Sequence, residues 1–221
     1  MKPNSENIEK LKRYSEQKQN SNKGGMSCAA LPIEKVIEVS KEALSRSSRY
    51  EVNYGLMLQV GVFTGLRYVD LVRLRKFNLI VENGGYILEG KTVKTDTPFK
   101  KPISDHLANL LFDNANEGEQ SLLMHNNGSK WQHGWLSRKI QKSFDKDFIK
   151  AKQDSLRKEE RITIGAHSLR KTYGMHIYNQ SGINAARIAL QHKSLATTSR
   201  YLGVNMEEQI EVEKEAFKGL W

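Results

Sequence analysis

Hydrophobic residues recur at helical spacing once the chain has passed its first 30 residues. In the segment "LPIEKVIEVSKEALSRS", the apolar positions that share one helical face are Ile33, Val36, Ile37 and Leu44. Residues three and four apart in sequence lie on the same side of an α-helix. The pattern therefore predicts a helix here, with Pro32 in its first turn, where the missing N–H of proline costs nothing.

The next segment predicts two further helices with a break between them. In "YEVNYGLMLQVGVFTGLRYVDLVRLRKFNLI", Leu56, Val60 and Phe63 form one apolar stripe. Gly65 interrupts the pattern, and "LRYVDLVRL" begins a second helix after it.

The period of the pattern then changes. The segment "GGYILEGKTVKTDTPFKKPIS" combines turn glycines, β-forming residues and prolines, which predicts a small hairpin or a three-stranded sheet. Residues 105–113 and 134–152 return to helical spacing, with loops between them.

The last third of the chain is predicted to be helical. The predicted helices are "HSLRKTYGMHIYNQS", "INAARIALQH", "ATTSRYLG" and "MEEQIEVEKEAFKGLW". The third should end at Gly203. The predicted fold class is α+β, mostly helical with one small antiparallel sheet. Residues 1–25 are polar and are predicted to be a flexible arm or linker, and residues 26–221 to form one domain.

Composition narrows the choice of partner. The chain has 35 Lys and Arg against 25 Asp and Glu, a net charge of +10, and a pI near 9.6. Such a surplus favours a polyanionic partner, most often nucleic acid. The single cysteine, Cys28, excludes an internal disulfide and fits a reducing cytoplasm. The sequence has no apolar run long enough to span a membrane, and its first residues lack the apolar stretch of a signal peptide, so we expect a cytoplasmic protein.

Four short motifs contain side chains that could bind a ligand or take part in catalysis. In "AHSLRKTYG", His167 and Arg170 are three residues apart and share one helical face. Both side chains could therefore bind one anionic ligand. In "TGLRYVDL", Arg67 precedes Asp70 by three residues, so the carboxylate could hold the arginine in one orientation. Each motif alone is weak, since a surface ion pair or a capping histidine would look the same.

The other two places are a hairpin and a helix end. "GKTVKTDTPFKKPIS" carries Lys91 and Lys94, and "QHKSLATTSRYLG" places His192 nine residues before Tyr201. A lysine-rich hairpin is usually only solvated, and a lone tyrosine is more often a packing residue.

Taken together and in this order, the motifs resemble those of the tyrosine recombinases, also called the phage integrase family. The family signature runs Arg, Lys, His-x-x-Arg, His or Trp, then Tyr. The matching residues are Arg67, Lys94, His167, Arg170, His192 and Tyr201. Lys94 is matched by the Lys-Thr turn and by Pro102, eight residues later, and Lys91 is the competing match. The resemblance covers about residues 30–221.

The resemblance implies a site-specific DNA recombinase that integrates, excises or inverts DNA. The Tyr201 hydroxyl would attack a phosphodiester to form a 3′-phosphotyrosine, with the two arginines binding the phosphate oxygens. His167 would be the general base, the hairpin lysine the general acid and His192 a hydrogen-bond donor to the phosphate. Asp70 would orient the region of Arg67. The resemblance implies no metal or other cofactor, because the cationic side chains take that role.

The resemblance also implies partners and leaves alternatives open. The partner would be double-stranded DNA, bound by a homo-tetramer joined through the C-terminal helix, although that helix could instead pack on its own domain. A type IB topoisomerase-like activity, or a non-catalytic DNA-binding or architectural protein on the same fold, would use similar residues. Most members carry a separate N-terminal DNA-clamping domain before this region, so the chain is expected to be either an isolated catalytic domain or a naturally short member of the family. Tyr201 is expected to be mobile without DNA.

Overall fold

The computed structural model describes residues 28–114, 122–123, 131–132, 134–144 and 163–204. The predicted arm at 1–25 and the predicted helix that follows Tyr201 lie outside these residues, as do residues 145–152 of the helix predicted at 134–152. The helices are α1 Ile33–Leu44, α2 Arg49–Thr64, α3 Tyr68–Leu71, α4 Asp105–Asp113, α5 Trp135–Phe144, α6 Ala166–Ala189 and α7 Leu195–Leu202. The strands are β1 Leu79–Glu82, β2 Gly85–Lys91 and β3 Pro98–Ile103.

Helix α2 is the centre of the main hydrophobic core, and it corrects one prediction. Every residue from Asn53 to Val62 is buried, so the helix is enclosed on all sides. The predicted stripe of Leu56, Val60 and Phe63 is wrong, because Phe63 is 42% exposed. A helix that is apolar all round is buried all round, and a single stripe cannot be assigned to it. Pro32 also stands one position earlier than predicted, at the cap that precedes α1.

The predicted sheet and the fold class are confirmed. The three strands pair antiparallel in the order β1-β2-β3. Along β3, exposed and buried residues alternate, so Phe99, Lys101 and Ile103 face the interior. The loop between β2 and β3 carries Lys94 at the end of the hairpin.

Helices α6 and α7 form a second, smaller hydrophobic cluster. Gly182 breaks α6 with φ 77° and ψ 180°, which confirms two separate helical segments here. Helix α7 is capped at its start by Ser194, whose side chain accepts a hydrogen bond from the N–H of Thr197, and at its end by the left-handed Gly203. The buried residues of the cluster are Ile183, Ala186, Leu190 and Leu202, with Tyr173 and Tyr201 packed at its edge. Within the described residues, no helix is both long and apolar enough to cross a bilayer.

Candidate active site

A tight turn at the end of α2 positions Arg67. Gly65 adopts the left-handed conformation with φ 65°, which residues other than glycine adopt at a cost. A Cβ at this position would lie 2.3 Å from Cδ1 of Tyr173. The hydroxyl of Thr64 donates to the carbonyl of Val60 at 2.5 Å and helps to end the helix. Arg67 then stands half-buried at the cap of α3.

The guanidinium of Arg170 is fixed by two backbone carbonyls. Its Nη1 donates to the oxygen of Gly65 at 2.6 Å, and its Nη2 donates to the oxygen of Leu190. Arg170 is only 7% exposed. Burial and the neighbouring charge of Arg67 lower its pKa to about 10, so it remains protonated at neutral pH. The planar fork therefore joins the "TGLR" turn to the end of α6 in one orientation.

His167 lies in the first turn of α6 and is exposed at the mouth of the site. Although the residue is exposed, partial burial of its ring lowers its pKa below the usual value, and the cationic charges of Arg170, Arg67 and Lys94 add to this effect. The imidazole is consequently neutral at neutral pH, with a lone pair available to accept a proton.

Tyr201 occupies the site, contrary to the expectation that it would be mobile without DNA. Its hydroxyl donates to the backbone oxygen of His167 at 3.3 Å. Burial raises the pKa of Tyr201 to about 12 and Cys28 adds to the rise, whereas the charges of Arg170 and Arg67 oppose it. The expectation of a withheld tyrosine is wrong for this structure, because packing at the edge of the α6–α7 cluster holds the ring in place.

His192 lies against Tyr201. The two rings meet edge to face with their centroids 5.3 Å apart, and Nδ1 of His192 lies 3.2 Å from the hydroxyl of Thr198. Burial and the charges of Arg170 and Arg67 lower the pKa of His192 to about 4. The donor role predicted for His192 toward a phosphate stays a prediction.

Asp70 contacts the hairpin, whereas the sequence predicted that it would orient the region of Arg67. Its Oδ1 accepts a hydrogen bond from the backbone N–H of Val93 at 2.8 Å, and its Oδ2 is buried with no hydrogen-bond partner in the part of the chain that the structure describes. The carboxylate therefore anchors the residue that precedes Lys94. It also lines a cavity of about 280 Å³ beneath the hairpin, together with Arg73 and Lys91.

The two candidate lysines of the hairpin differ in their surroundings. Lys91 is exposed and its ammonium lies 3.4 Å from a carboxylate oxygen of Asp96. Lys94 is exposed in the loop, and its charge acts on the ring of His167. The charge of Lys94 thus reaches His167, whereas the ammonium of Lys91 lies beside Asp96, and the choice of Lys94 as the catalytic lysine stays a prediction.

The structure brings the six matched side chains into one electrostatic environment. Burial is the largest influence on the pKa of each of the four shifted groups, and the charge of Arg67 acts on all of them: His167, Arg170, His192 and Tyr201. Over the part of the chain that the structure describes, no three His, Cys, Asp or Glu side chains lie together in an arrangement that could hold a metal ion.

Sequence reasoning missed Lys101, a buried lysine beside this site. Its ammonium donates to the oxygen of Ala189 at 2.6 Å and to the hydroxyl of Tyr173 at 3.3 Å. Burial and the charge of Arg170 lower its pKa to about 8. The alternation along β3 could have indicated it, because Lys101 shares a face with Phe99 and Ile103. Lys101 ties the sheet to the end of α6, where backbone carbonyls lack helical partners.

Substituting Lys101 with methionine is expected to remove a pH dependence of stability. Between pH about 8 and 10.5 the unfolded chain binds a proton at Lys101 that the folded chain has released. Lys101 therefore contributes a rise in the free energy of unfolding with pH across this window, of about 3–4 kcal/mol at ~1.4 kcal/mol per pKa unit. Lys101→Met should lack this rise, as measured by denaturant unfolding at a series of pH values.

The matched control for this prediction is Lys100→Met. Lys100 is the neighbour of Lys101 on the opposite face of β3, exposed and hydrogen-bonded to Glu82 at 2.6 Å. That variant should keep the rise. An equal rise in the Lys101→Met protein would show that Lys101 is fully protonated in the folded state.

Comparison with known proteins shows the family of the chain. The sequence model of the phage integrase family matches residues 33–208, and the chain belongs to that family. Among curated protein sequences, none matches the chain.

Several solved structures share the fold. XerH site-specific recombinase, bound to difH substrate in a pre-cleavage complex, is 21% identical with a TM-score of 0.63, over 86% of this chain and 55% of that one. A lambda integrase dimer bound to a COC′ core site is 21% identical with a TM-score of 0.57, over 81% of this chain and 49% of that one. The integrase of transposon Tn1549, in complex with transposon right end DNA, is 15% identical with a TM-score of 0.59, over 88% of this chain and 67% of that one. The chain spans about half the length of the first two.

Proposed function

We propose that this protein is a site-specific DNA recombinase that cuts and rejoins DNA through a covalent bond to Tyr201. The observation that carries the proposal is the meeting of Tyr201 with two arginines and two neutral histidines in one site. Arg67 and Arg170 supply positive charge where a phosphate would lie, and the Tyr201 hydroxyl lies against His167.

The cleavage step follows from these groups. The oxygen of Tyr201 attacks phosphorus, the bond between phosphorus and the 5′-oxygen breaks, and a 3′-phosphotyrosine forms. The phenol proton passes to the ring of His167, which is neutral because its pKa is lowered. The departing 5′-oxygen takes a proton from Lys94. Because the new ester retains the energy of the phosphodiester, attack by a 5′-hydroxyl from a second DNA site reverses the step and joins new strands.

The arginines would supply most of the acceleration. Negative charge grows on the two non-bridging oxygens as Tyr201 attacks, and a guanidinium can bind such oxygens with charge-assisted hydrogen bonds. Arg170 is held by Gly65 and Leu190 before any ligand arrives, so little reorganisation is needed at the moment of reaction. The negative charge of a bound phosphate would disfavour the phenolate of Tyr201. The phenol proton must therefore pass to a base, which in this proposal is His167.

The proposed partner is double-stranded DNA, and the proposed assembly is a homo-tetramer. The net charge of +10 supports DNA binding. Relatives support both points: XerH is bound to difH substrate, and a lambda integrase tetramer is bound to a Holliday junction. We propose that the C-terminal helix predicted after Tyr201 joins the protomers, and that the protein acts in the cytoplasm.

The test is a covalent-trapping assay. The protein is incubated with nicked duplexes taken from the DNA that flanks its own gene, and the products are separated on a denaturing gel. A retarded band that disappears on protease digestion is the expected result. Binding on a native gel without such a band would contradict the proposal and indicate a non-catalytic DNA-binding protein. Relaxation of supercoiled DNA of any sequence would instead indicate a type IB topoisomerase-like activity.

Lys94→Ala is expected to slow cleavage about 10²-fold, the usual contribution of a general acid. A duplex with sulfur in place of the 5′-bridging oxygen should restore the rate, because a thiolate of pKa about 8.5 departs without a proton. Single-turnover cleavage of both duplexes measures the effect. Lys91→Ala, the matched control, should cleave both duplexes at the parent rate. The opposite pattern would assign the acid role to Lys91.

A further inference from the structure

In the side chain of His192, Nδ1 contacts the protein, whereas no hydrogen bond of Nε2 is recorded among the described residues. Nδ1 lies 3.2 Å from Oγ1 of Thr198. Thr198 is fully buried in α7, three residues before Tyr201. Its Oγ1 also donates to the backbone oxygen of Ser194 at 3.2 Å.

Counting protons assigns the tautomer of the ring. A threonine hydroxyl carries one hydrogen, and that of Thr198 is given to Ser194. Thr198 can then only accept from His192, so the hydrogen of a neutral ring must be on Nδ1. The other nitrogen, Nε2, carries a lone pair.

The charges around the ring favour the same arrangement. Arg170 and Arg67 are the cations that act on the imidazole. Because Nδ1 is turned to Thr198, Nε2 is the nitrogen available to the site. A lone pair is favoured beside two cations, and an N–H is disfavoured there. The rings of Tyr201 and His192 meet edge to face, and the Nη1 of Arg187 donates to the backbone oxygen of His192 at 3.4 Å.

We propose that Thr198 is a positioning residue that holds His192 in the Nδ1–H tautomer, with Nε2 unprotonated until a phosphate enters. His192 is thus an acceptor in the free protein. It donates to a phosphate oxygen only after Nε2 takes one proton from solvent, a step that the negative charge of the phosphate favours by offsetting the two arginines. This inference rests on the proposed function for its phosphate, but the tautomer is a property of the free protein.

Nitrogen-15 NMR of the free, full-length protein labelled at histidine tests the proposal. The chain has six histidines, and comparison with His192→Gln identifies the signals of His192. At neutral pH, two-bond proton–nitrogen correlations should show Nδ1 protonated and Nε2 bare. The reverse pattern in the parent protein would overturn the proposal without any variant.

Three variants sharpen the test. Thr198→Val keeps the shape and removes the hydroxyl, and it should shift His192 toward the Nε2–H form. Thr198→Ser keeps the hydroxyl and should restore the parent spectrum. Thr197→Val is the matched control, because the exposed Thr197 hydroxyl contacts only Ser194 among the described residues. An unchanged His192 spectrum in Thr198→Val would overturn the proposal.

Cleavage rates complete the experiment. At saturating DNA, Thr198→Val should cleave roughly tenfold more slowly than the parent, since a mispositioned group typically costs one order of magnitude or more. Thr198→Ser and Thr197→Val should match the parent. Parent-rate cleavage by Thr198→Val would also overturn the proposal. Absence of cleavage by every protein, including the parent, would contradict the proposed function and leave the spectrum to decide the role of Thr198.

Discussion

Tyr201→Phe is expected to abolish the covalent protein–DNA complex. The substitution removes one oxygen, the atom that would attack phosphorus, and leaves the ring that packs at the edge of the α6–α7 cluster. The only hydrogen bond recorded for that oxygen among the described residues goes to the backbone of His167. Folding and DNA binding should therefore survive while covalent trapping falls below detection.

The matched control is Tyr178→Phe. Tyr178 packs against the same hydrophobic cluster, so the change in side chain is identical in chemistry and similar in surroundings. This variant should trap DNA as the parent does. A covalent band that persists in Tyr201→Phe would identify another nucleophile and contradict the proposed chemistry.

Arg170→Lys is expected to slow cleavage by roughly 10²–10³-fold, the usual cost of losing one preorganised donor to developing charge. Lysine keeps the positive charge but cannot span the carbonyls of Gly65 and Leu190 and also present a fork to a phosphate. Single-turnover cleavage at saturating DNA separates this effect from weaker binding. At least one buried carbonyl should lose its donor, so the variant should also be less stable, by about 1–3 kcal/mol.

Arg46→Lys is the control for both expected effects of Arg170→Lys, slower cleavage and lower stability. Arg46 is exposed after α1 and binds Glu42 at 2.5 Å, away from the candidate site. It should leave both cleavage and stability close to the parent values. If Arg170→Lys cleaved within a few-fold of the parent, a positive charge without fixed geometry would be sufficient at this position.

The candidate residues could be found from the sequence because each is tied to a local pattern. "TGLR" is a tight turn that requires Gly65, so the motif reports backbone geometry as well as chemistry. His167 and Arg170 are three apart in one helix, and Tyr201 lies in α7, which begins shortly after His192. Local spacing of this kind can be recognised in the sequence because few residues lie between the partners.

Contacts between segments that are distant along the chain could not be predicted from the sequence. Asp70 was predicted to orient the region of Arg67, but its carboxylate reaches the hairpin 23 residues away. Lys101 meets Ala189 across 88 residues of chain. The first pairing depends on how the hairpin packs against α3 and the second on how β3 packs against α6, and no local pattern predicts either.

By itself, the sequence determined the succession of elements, the family resemblance and the order of the candidate site residues, because turn chemistry and helical spacing are local properties. Only the tertiary structure decided that Phe63 is exposed, that Tyr201 lies within the site, and that the pKa values of His167 and His192 are lowered. Burial and the field of two arginines arise when segments far apart in sequence pack together, so they exist only in the folded chain.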